Sequence, residues 1–378
     1  MIADKFVDLY ARNARLRDKL VAERDVVLTY ALEALIADGV KSDLAFEGGE
    51  GRASYLRARR ISLAGTAFVL SAANREFLID FRKSTGAGAV TVAAQRLREQ
   101  ATDYSPDVVP LLAVPYMGGV GRRVCQETGV SWIDLSGNAS IVAPGLRVMV
   151  EGRPNLYPTR GRPANLFAPK SSRLTRWLLI HPEESFTQRQ IARATGMTEG
   201  FVSRIASNLE EQGYIARDDA GGIRAKDPDL LLDAWQEACR FSQHTVHRGH
   251  VAARSGDALA RVVCHVLSEQ RVEHAATGLA AAWMFTKFAA FRIATVFVTA
   301  DPPAAVLERL GYRDDPRGAN LWLVVPNDAG VFQGAAEQSG VRCVHPVQAY
   351  VDLKDHPERA PEAAAHLRAE VLHWRHVG

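Results

Sequence analysis

The chain has 378 residues, with 46 Lys plus Arg against 43 Asp plus Glu and a hydrophobic fraction of 47%. That length suits two or three domains, and the composition excludes wholesale disorder. A net charge of +3 excludes a histone-like polycation, so any nucleic-acid contact has to come from local clusters of Arg and Lys. Cys125, Cys239, Cys264 and Cys343 form no C-x-x-C pair, so neither a zinc ribbon nor a disulfide framework is expected. Charges among the first eight residues, and no apolar run near the ~18 residues of a membrane span, predict a cytoplasmic protein with no membrane association.

Residues 1–39 carry helical periodicity through Leu9, Leu16, Leu20, Val27, Leu32 and Leu35, with Gly39 as a stop. From Leu44 to Phe81 the texture becomes β-like, with runs at 55–59, 66–70 and 77–81. A helix over 89–100, a buried strand over 108–114, a helix over 122–128 closed by Gly129 and a strand over 130–135 complete an α/β layer. Residues 151–172 hold four prolines and no periodicity, which marks a linker.

The next stretch is the most informative. Leu174, Trp177, Leu178 and Ile180 give a first helix an apolar face, and His181-Pro182 ends it. Thr187 can cap a second helix over 188–194. Thr195-Gly196-Met197 makes a tight turn, and Thr198 caps a third helix running to Gln212, with Gly213 beyond it. At 100° per residue, Val202, Ile205 and Leu209 share one side of the third helix; Gly200, Ser203, Arg204 and Ser207 share the other. Small hydrogen-bonding residues with an Arg among them suit a helix that enters a major groove. Runs 214–217 and 223–226 flank Asp218-Asp219-Ala220-Gly221-Gly222, the pattern of a β-hairpin.

Helix, helix, turn, helix, hairpin is a winged helix-turn-helix, and the run from Phe186 to Ile215 resembles bacterial winged-helix transcriptional regulators. That resemblance implies double-stranded DNA as partner. Ser203, Arg204 and Ser207 would then read bases, with Thr198 and Gly200 at the helix entry, and Gln188 and Arg189 would touch phosphates. Arg217 and Arg224 would grip the backbone from the wing, and Lys170, Ser171, Ser172, Arg173 and Arg176 would position the module. The local charge fits: residues 151–226 hold 12 Lys/Arg against 8 Asp/Glu. A winged helix that serves only protein contact is the alternative.

Helices are expected at 229–243 and 247–270, strands at 294–298, 321–325 and 341–344, and a last helix near 357–374. The predicted fold is therefore multidomain α/β, with a central winged helix at 173–228 between α/β domains at 1–150 and 229–378. The segment Ile133-Asp134-Leu135-Ser136-Gly137-Asn138 after an apolar strand, followed by the winged helix, resembles AbiEi-like antitoxins of type IV toxin–antitoxin systems. This implies an autorepressor with a toxin-like protein partner, although those antitoxins carry the winged helix at the N-terminus.

Asp80-Phe81-Arg82-Lys83 resembles half of a restriction-endonuclease-like (D/E)-x-K motif with Arg82 in place of the Lys. Arg cannot deprotonate, so the domain reads as a degenerate nuclease scaffold without catalytic residues. A metal-dependent nuclease using Asp80 and Asp134 is the enzymatic alternative. His244, His247 and His250 at three-residue spacing on a helix could approach a metal, but Gly249 weakens that helix, and no metal or cofactor is expected. A homodimer is expected from the two-fold symmetry of such regulators.

Overall fold

The computed structural model describes residues 57–59, 67–72, 75–82, 86–156 and 166–374. The helix expected over 1–39 lies outside them. The chain divides into two compact units, 1–162 and 163–378, so the winged helix and the C-terminal α/β region share one unit.

The first unit is built on a seven-stranded sheet in sequential order: β1 (Arg57–Arg59), β2 (Ala67–Ala72), β3 (Arg75–Phe81), β4 (Val109–Val114), β5 (Ser131–Asp134), β6 (Ala139–Ala143) and β7 (Leu146–Val150). Strands β3, β4 and β5 are parallel, joined by α1 (Ala87–Tyr104) and α2 (Gly119–Thr128). The parallel connections require these crossovers, and all six residues of β4 are buried, as a central parallel strand demands. Antiparallel pairs flank this core: β1–β2–β3 on one side and β5–β6–β7 on the other. The β6–β7 hairpin was not foreseen; its alternating burial is that of a strand pair with one face in water. Phe77, Ile79, Leu111, Ile133 and Ile141 form one apolar cluster. Gly129 closes α2 at φ 66°, where its missing Cβ removes the steric cost.

The second unit opens with α3 (Ser172–Ile180), α4 (Gln188–Thr195), α5 (Glu199–Glu211) and a wing of β8 (Ile215–Arg217) and β9 (Ile223–Ala225). An isolated antiparallel bridge between Phe186 and Ile223 ties the segment before α4 to the two-stranded wing. Next comes α6 (Pro228–Ala238), capped by Asp227 accepting from the Leu230 N–H at 3.0 Å. The remainder is a second seven-stranded sheet, built from β10 (Thr245–His250), β11 (His274–Thr277), β12 (Ala294–Val298), β13 (Arg313–Asp314), β14 (Leu321–Val325), β15 (Ala336–Gln338) and β16 (Val341–Cys343). Its order is β13-β10-β14-β12-β11-β16-β15. Helices α7 (Gly256–Glu269), α8 (Gly278–Thr286), α9 (Ala304–Leu310), α10 (Pro346–Asp352) and α11 (Ala360–Val371) pack on it or on one another. The winged helix joins this body through α3, which packs on α6 and α10.

One element departs from expectation in type. Residues 245–250 are a strand, not the start of a helix, and they pair with β14 from Thr245↔Val325 to Gly249↔Leu321. Gly249 fits there because the Tyr312 ring and the Arg313 carbonyl crowd its Cα: an added Cβ would meet them at 2.2–2.5 Å. The helix begins only at Gly256, capped by Ser255. His247 and His250 thus fall on a pleated strand, where residues three apart point to opposite faces, and His244 lies just before it. His247 pairs with Asp301 at 2.9 Å, and His244 Nδ1 accepts the Asn327 N–H at 3.2 Å. Among the described residues, no group of three or more His, Cys, Asp or Glu is disposed to hold a metal, and no helix is long and apolar enough to cross a membrane.

Candidate nucleic-acid interface

Every local signal in the helix-turn-helix has a structural counterpart. Thr187 and Gln190 form a reciprocal capping box: the Thr187 N–H donates to Gln190 Oε1 at 2.8 Å, and the Gln190 N–H donates to Thr187 Oγ1 at 3.3 Å. Gly196 ends α4 at φ 65°, and Thr198 caps α5. Val202, Ile205 and Leu209 are 0% exposed, packed in a core that includes Leu174, Leu178 and Ile191. Burying three such side chains stabilises the helix's seating by roughly 1.5–3 kcal/mol each. The same rotation turns Gly200, Arg204 and Ser207 to solvent, with Ser203 half-buried beside them.

Around this face the predicted residues sort by environment. Thr198 and Arg189 are exposed, and Gln188 is half-buried at the first position of α4. Gly200 has open space where a Cβ would be, so a bulky backbone could approach the first turn of α5. Arg189 makes a loose pair with Glu199 at 3.8 Å, worth little between two solvated groups. Arg204 lies over the Phe201 ring at 5.0 Å, and Lys170 lies over the same ring at 5.6 Å. Phe201 was not singled out from sequence; its signal was the three-residue spacing to Arg204. It serves as a half-buried platform that holds two cations at the edge of the exposed face.

In the wing, Arg224 is exposed, whereas Arg217 is half-buried and tied to Glu210 of α5 at 2.9 Å. The turn is organised by Asp218. It accepts from the Ser185 hydroxyl at 2.6 Å and from the N–H groups of Gly222 and Ala220, contacts that hold its carboxyl below the ordinary range. The wing tip is thus ordered, with Gly221 at φ 79°.

Four predicted contact residues lie elsewhere. Ser171 and Ser172 are buried, and the Ser172 hydroxyl donates to the Pro169 carbonyl at 2.7 Å. Arg176 is 2% exposed; its Nε and Nη2 donate to Gln348 Oε1 at 2.9 and 2.7 Å, and its plane lies 5.0 Å from the Trp235 ring. Arg173 makes a two-pronged pair with Asp328, at 2.7 and 2.9 Å, while its Nη1 donates to the Thr195 carbonyl at 2.9 Å. The expectation that these four touch DNA is therefore corrected. Arg173 and Arg176 tie α3 to Asp328 and to Gln348 of α10, because α3 is the inner helix of the module and the residues facing away from the helix-turn-helix core face α6 and α10. In the basic segment before α3, the described cations Arg153 and Lys170 are both exposed.

In the first unit Asp80 and Asp134, the two acids that the nuclease alternative would use, are occupied by protein donors. Asp80 is buried and paired with Arg82 at 2.7 Å. Asp134 accepts from the Met117 N–H at 3.1 Å and from both the N–H and the side-chain amide of Asn138 at 2.9 Å. Asn138 also exchanges hydrogen bonds with the Arg153 backbone, so the Asp134–Asn138 turn locks the chain as it leaves the sheet.

A model of the MarR family matches residues 172–225. Neither a curated protein nor a solved structure matches the chain. The matched span runs from the first residue of α3 to the last of β9, the same segment whose exposed helix face and ordered wing were just described. The chain therefore carries a winged helix similar to that of MarR-family DNA-binding transcription regulators.

Proposed function

We propose that the protein is a sequence-specific double-stranded DNA-binding regulator in which α5 enters a major groove. The observation that carries this reading is the division of α5 into a fully buried apolar side and a solvent side bearing Gly200, Ser203, Arg204 and Ser207. Arg204 would address a guanine edge bidentately, leaving Phe201 as it does so; Ser203 and Ser207 would add single hydrogen bonds. Gln188, Arg189 and Thr198 would contact phosphates, with the N-terminus of α5 favouring an anion there. Arg224 would hold the flanking backbone from the wing, joined by Arg217 once it exchanges Glu210 for a phosphate. A homodimer on a two-fold site is the assembly that such readers use. Selection of bound fragments from random duplex DNA by the full chain, followed by footprinting, tests the whole reading. Recovery of one palindromic motif is expected, and recovery of no enriched sequence would overturn it.

The reading is of a binder without catalysis. Its support is that Asp80 and Asp134 both spend their carboxylates on protein donors. Duplex cleavage in Mg²⁺ or Mn²⁺ that disappears in Asp80→Ala would overturn it in favour of a nuclease.

A further inference from the structure

Gly200 and Phe201, side by side in the first turn of α5, are unusual choices for the edge of a solvent-facing surface. Apart from proline, glycine is the residue a helix accepts least readily. Here its backbone is outside the left-handed region, and no neighbouring group lies within 4 Å of the place of a Cβ. Neither turn geometry nor packing inside the protein therefore requires glycine at position 200. What the missing side chain does provide is room for an outside surface to approach the helix more closely than a methyl group would permit.

Phe201 lies at the border between the two sides of α5, about 60° around the helix from Arg204, and its ring is half-buried. Arg204 lies over that ring at 5.0 Å and Lys170 at 5.6 Å. Among the described residues neither cation has a carboxylate partner, so the ring is where both charges rest. Such contacts are weak in water, and a guanine edge or a phosphate oxygen displaces them.

Displacement changes the ring's surroundings. Once Arg204 has moved to guanine, the aromatic face that it covered is bared inside an interface from which water is being expelled. A donor or acceptor pressed against that face would lose its hydrogen bond with nothing in exchange. Among the groups that base pairs present in the major groove, the C5-methyl of thymine is the apolar one, and it covers an aromatic face without such a loss. Spacing limits where that thymine lies. Residues three apart on a helix have Cβ atoms about 5–6 Å apart, and stacked base pairs follow at about 3.4 Å. Ring and guanidinium therefore address positions one or two base pairs apart.

We propose that Phe201 is a specificity-determining residue that reads the methyl group of a thymine one or two base pairs from the guanine taken by Arg204, with Gly200 as the point of close approach that admits the ring to the groove. This inference rests on the DNA-binding reading. The test uses the full chain and the duplex motif recovered by selection. Replacing guanines one at a time by 7-deazaguanine removes the N7 acceptor; the guanine of Arg204 is the one whose replacement weakens the parent chain but not Arg204→Ala. Replacing thymines one at a time by deoxyuridine removes only the methyl group. One deoxyuridine, one or two base pairs from that guanine, should weaken binding about fourfold, the effect of one buried methyl group. Phe201→Ala should bind the thymine duplex about fourfold more weakly than the parent and should bind both duplexes alike. The deoxyuridine scan needs only the parent chain, so it decides the matter even where Phe201→Ala does not fold. Gly200→Ala should unfold at the same or a higher temperature, yet bind every duplex at least about threefold more weakly. Indifference to every deoxyuridine, a penalty that persists in Phe201→Ala, or a penalty more than two base pairs from the guanine overturns the methyl reading, as does the lack of any Arg204-dependent guanine. Gly200→Ala that binds as tightly as the parent overturns the close approach. A selected motif without methyl dependence sinks this inference alone, whereas a chain that selects no duplex sinks the DNA-binding reading and this inference with it.

Discussion

The arginines of α3 and α5 are 28 to 31 residues apart and live in opposite solvents. Arg204 on α5 rests on Phe201 with water around it, so leaving that ring for another partner costs little. Arg173 and Arg176 on α3 are held in fixed geometry by Asp328, Thr195 and Gln348, inside the body of the protein. The first environment suits a reader of exchangeable ligands and the second a rivet. The difference teaches that Arg content along a helix-turn-helix says little about DNA until the covered face of each helix is known, and in this chain α6 and α10 cover α3.

The comparison breaks most decisively at Arg173. Arg173→Ala leaves the mostly buried Asp328 carboxylate without its cation, and removing one member of such a pair costs roughly 3–5 kcal/mol, measured by denaturant unfolding. DNA binding at a temperature where the variant is folded should fall alike on all sequences. Unchanged stability would show that α3 is not riveted. The converse experiment is Arg204→Ala. It should leave stability within about 0.5 kcal/mol and cost about 2 kcal/mol of discrimination at a single base pair, read by competition against single-site operator variants. An equal loss on every operator would make Arg204 a phosphate contact.

The buried end of the comparison also predicts a pH dependence. Burial raises Asp352 from an ordinary 3.8 to about 7. A raised acid contributes stability that is complete below about 3.8 and is lost as the pH climbs through 7. His244 and His345 are lowered by burial to about 4, so their contribution is complete above about 6.5 and lost as the pH falls through 4. Asp352→Asn removes the first of these opposed limbs. Its unfolding free energy relative to the parent chain should therefore rise with pH between about 4 and 7, by roughly 1 kcal/mol per unit. A flat difference across that window would mean that the buried carboxyl is compensated by a neighbour.

What was legible in the sequence follows how local the cause was. Thr187, Gly196, Thr198 and Gly213 placed the helix ends of the module within one or two residues, because caps and left-handed glycines are decided by a few adjacent atoms. The two sides of α5 were equally readable from 100° periodicity. The strand at 245–250 was not, since Thr-Val-His-Arg-Gly-His has neither an alternating pattern nor a run of apolar residues; its pairing with β14 and β13 decides it. The fate of Arg173 and Arg176 was equally hidden, because their partners Asp328 and Gln348 lie 155 and 172 residues away. Hydrophobic spacing says that one face of α3 is buried in its own module; nothing local says that α6 and α10 cover the other.

The finest test of the comparison is in the wing, where two arginines sit at adjacent positions of the ladder in different states. Arg224 is exposed, its strand partner is Ala216, and the nearest competing charge is the Asp218 carboxylate of the turn, already held by Ser185, Ala220 and Gly222. Arg217 is already paired with Glu210 and would have to surrender that contact to reach a phosphate. Arg224→Ala should accordingly weaken binding to every duplex by about 1 kcal/mol or less, and lower the slope of log affinity against log salt by about 1. Arg217→Ala should do less at low salt, because the intact residue gives up an ion pair to make its contact. Glu210→Gln frees Arg217 at once and should raise affinity and steepen the salt slope. If Glu210→Gln leaves both unchanged, Arg217 stays docked on α5 in the complex, and the wing holds the backbone through Arg224 without it.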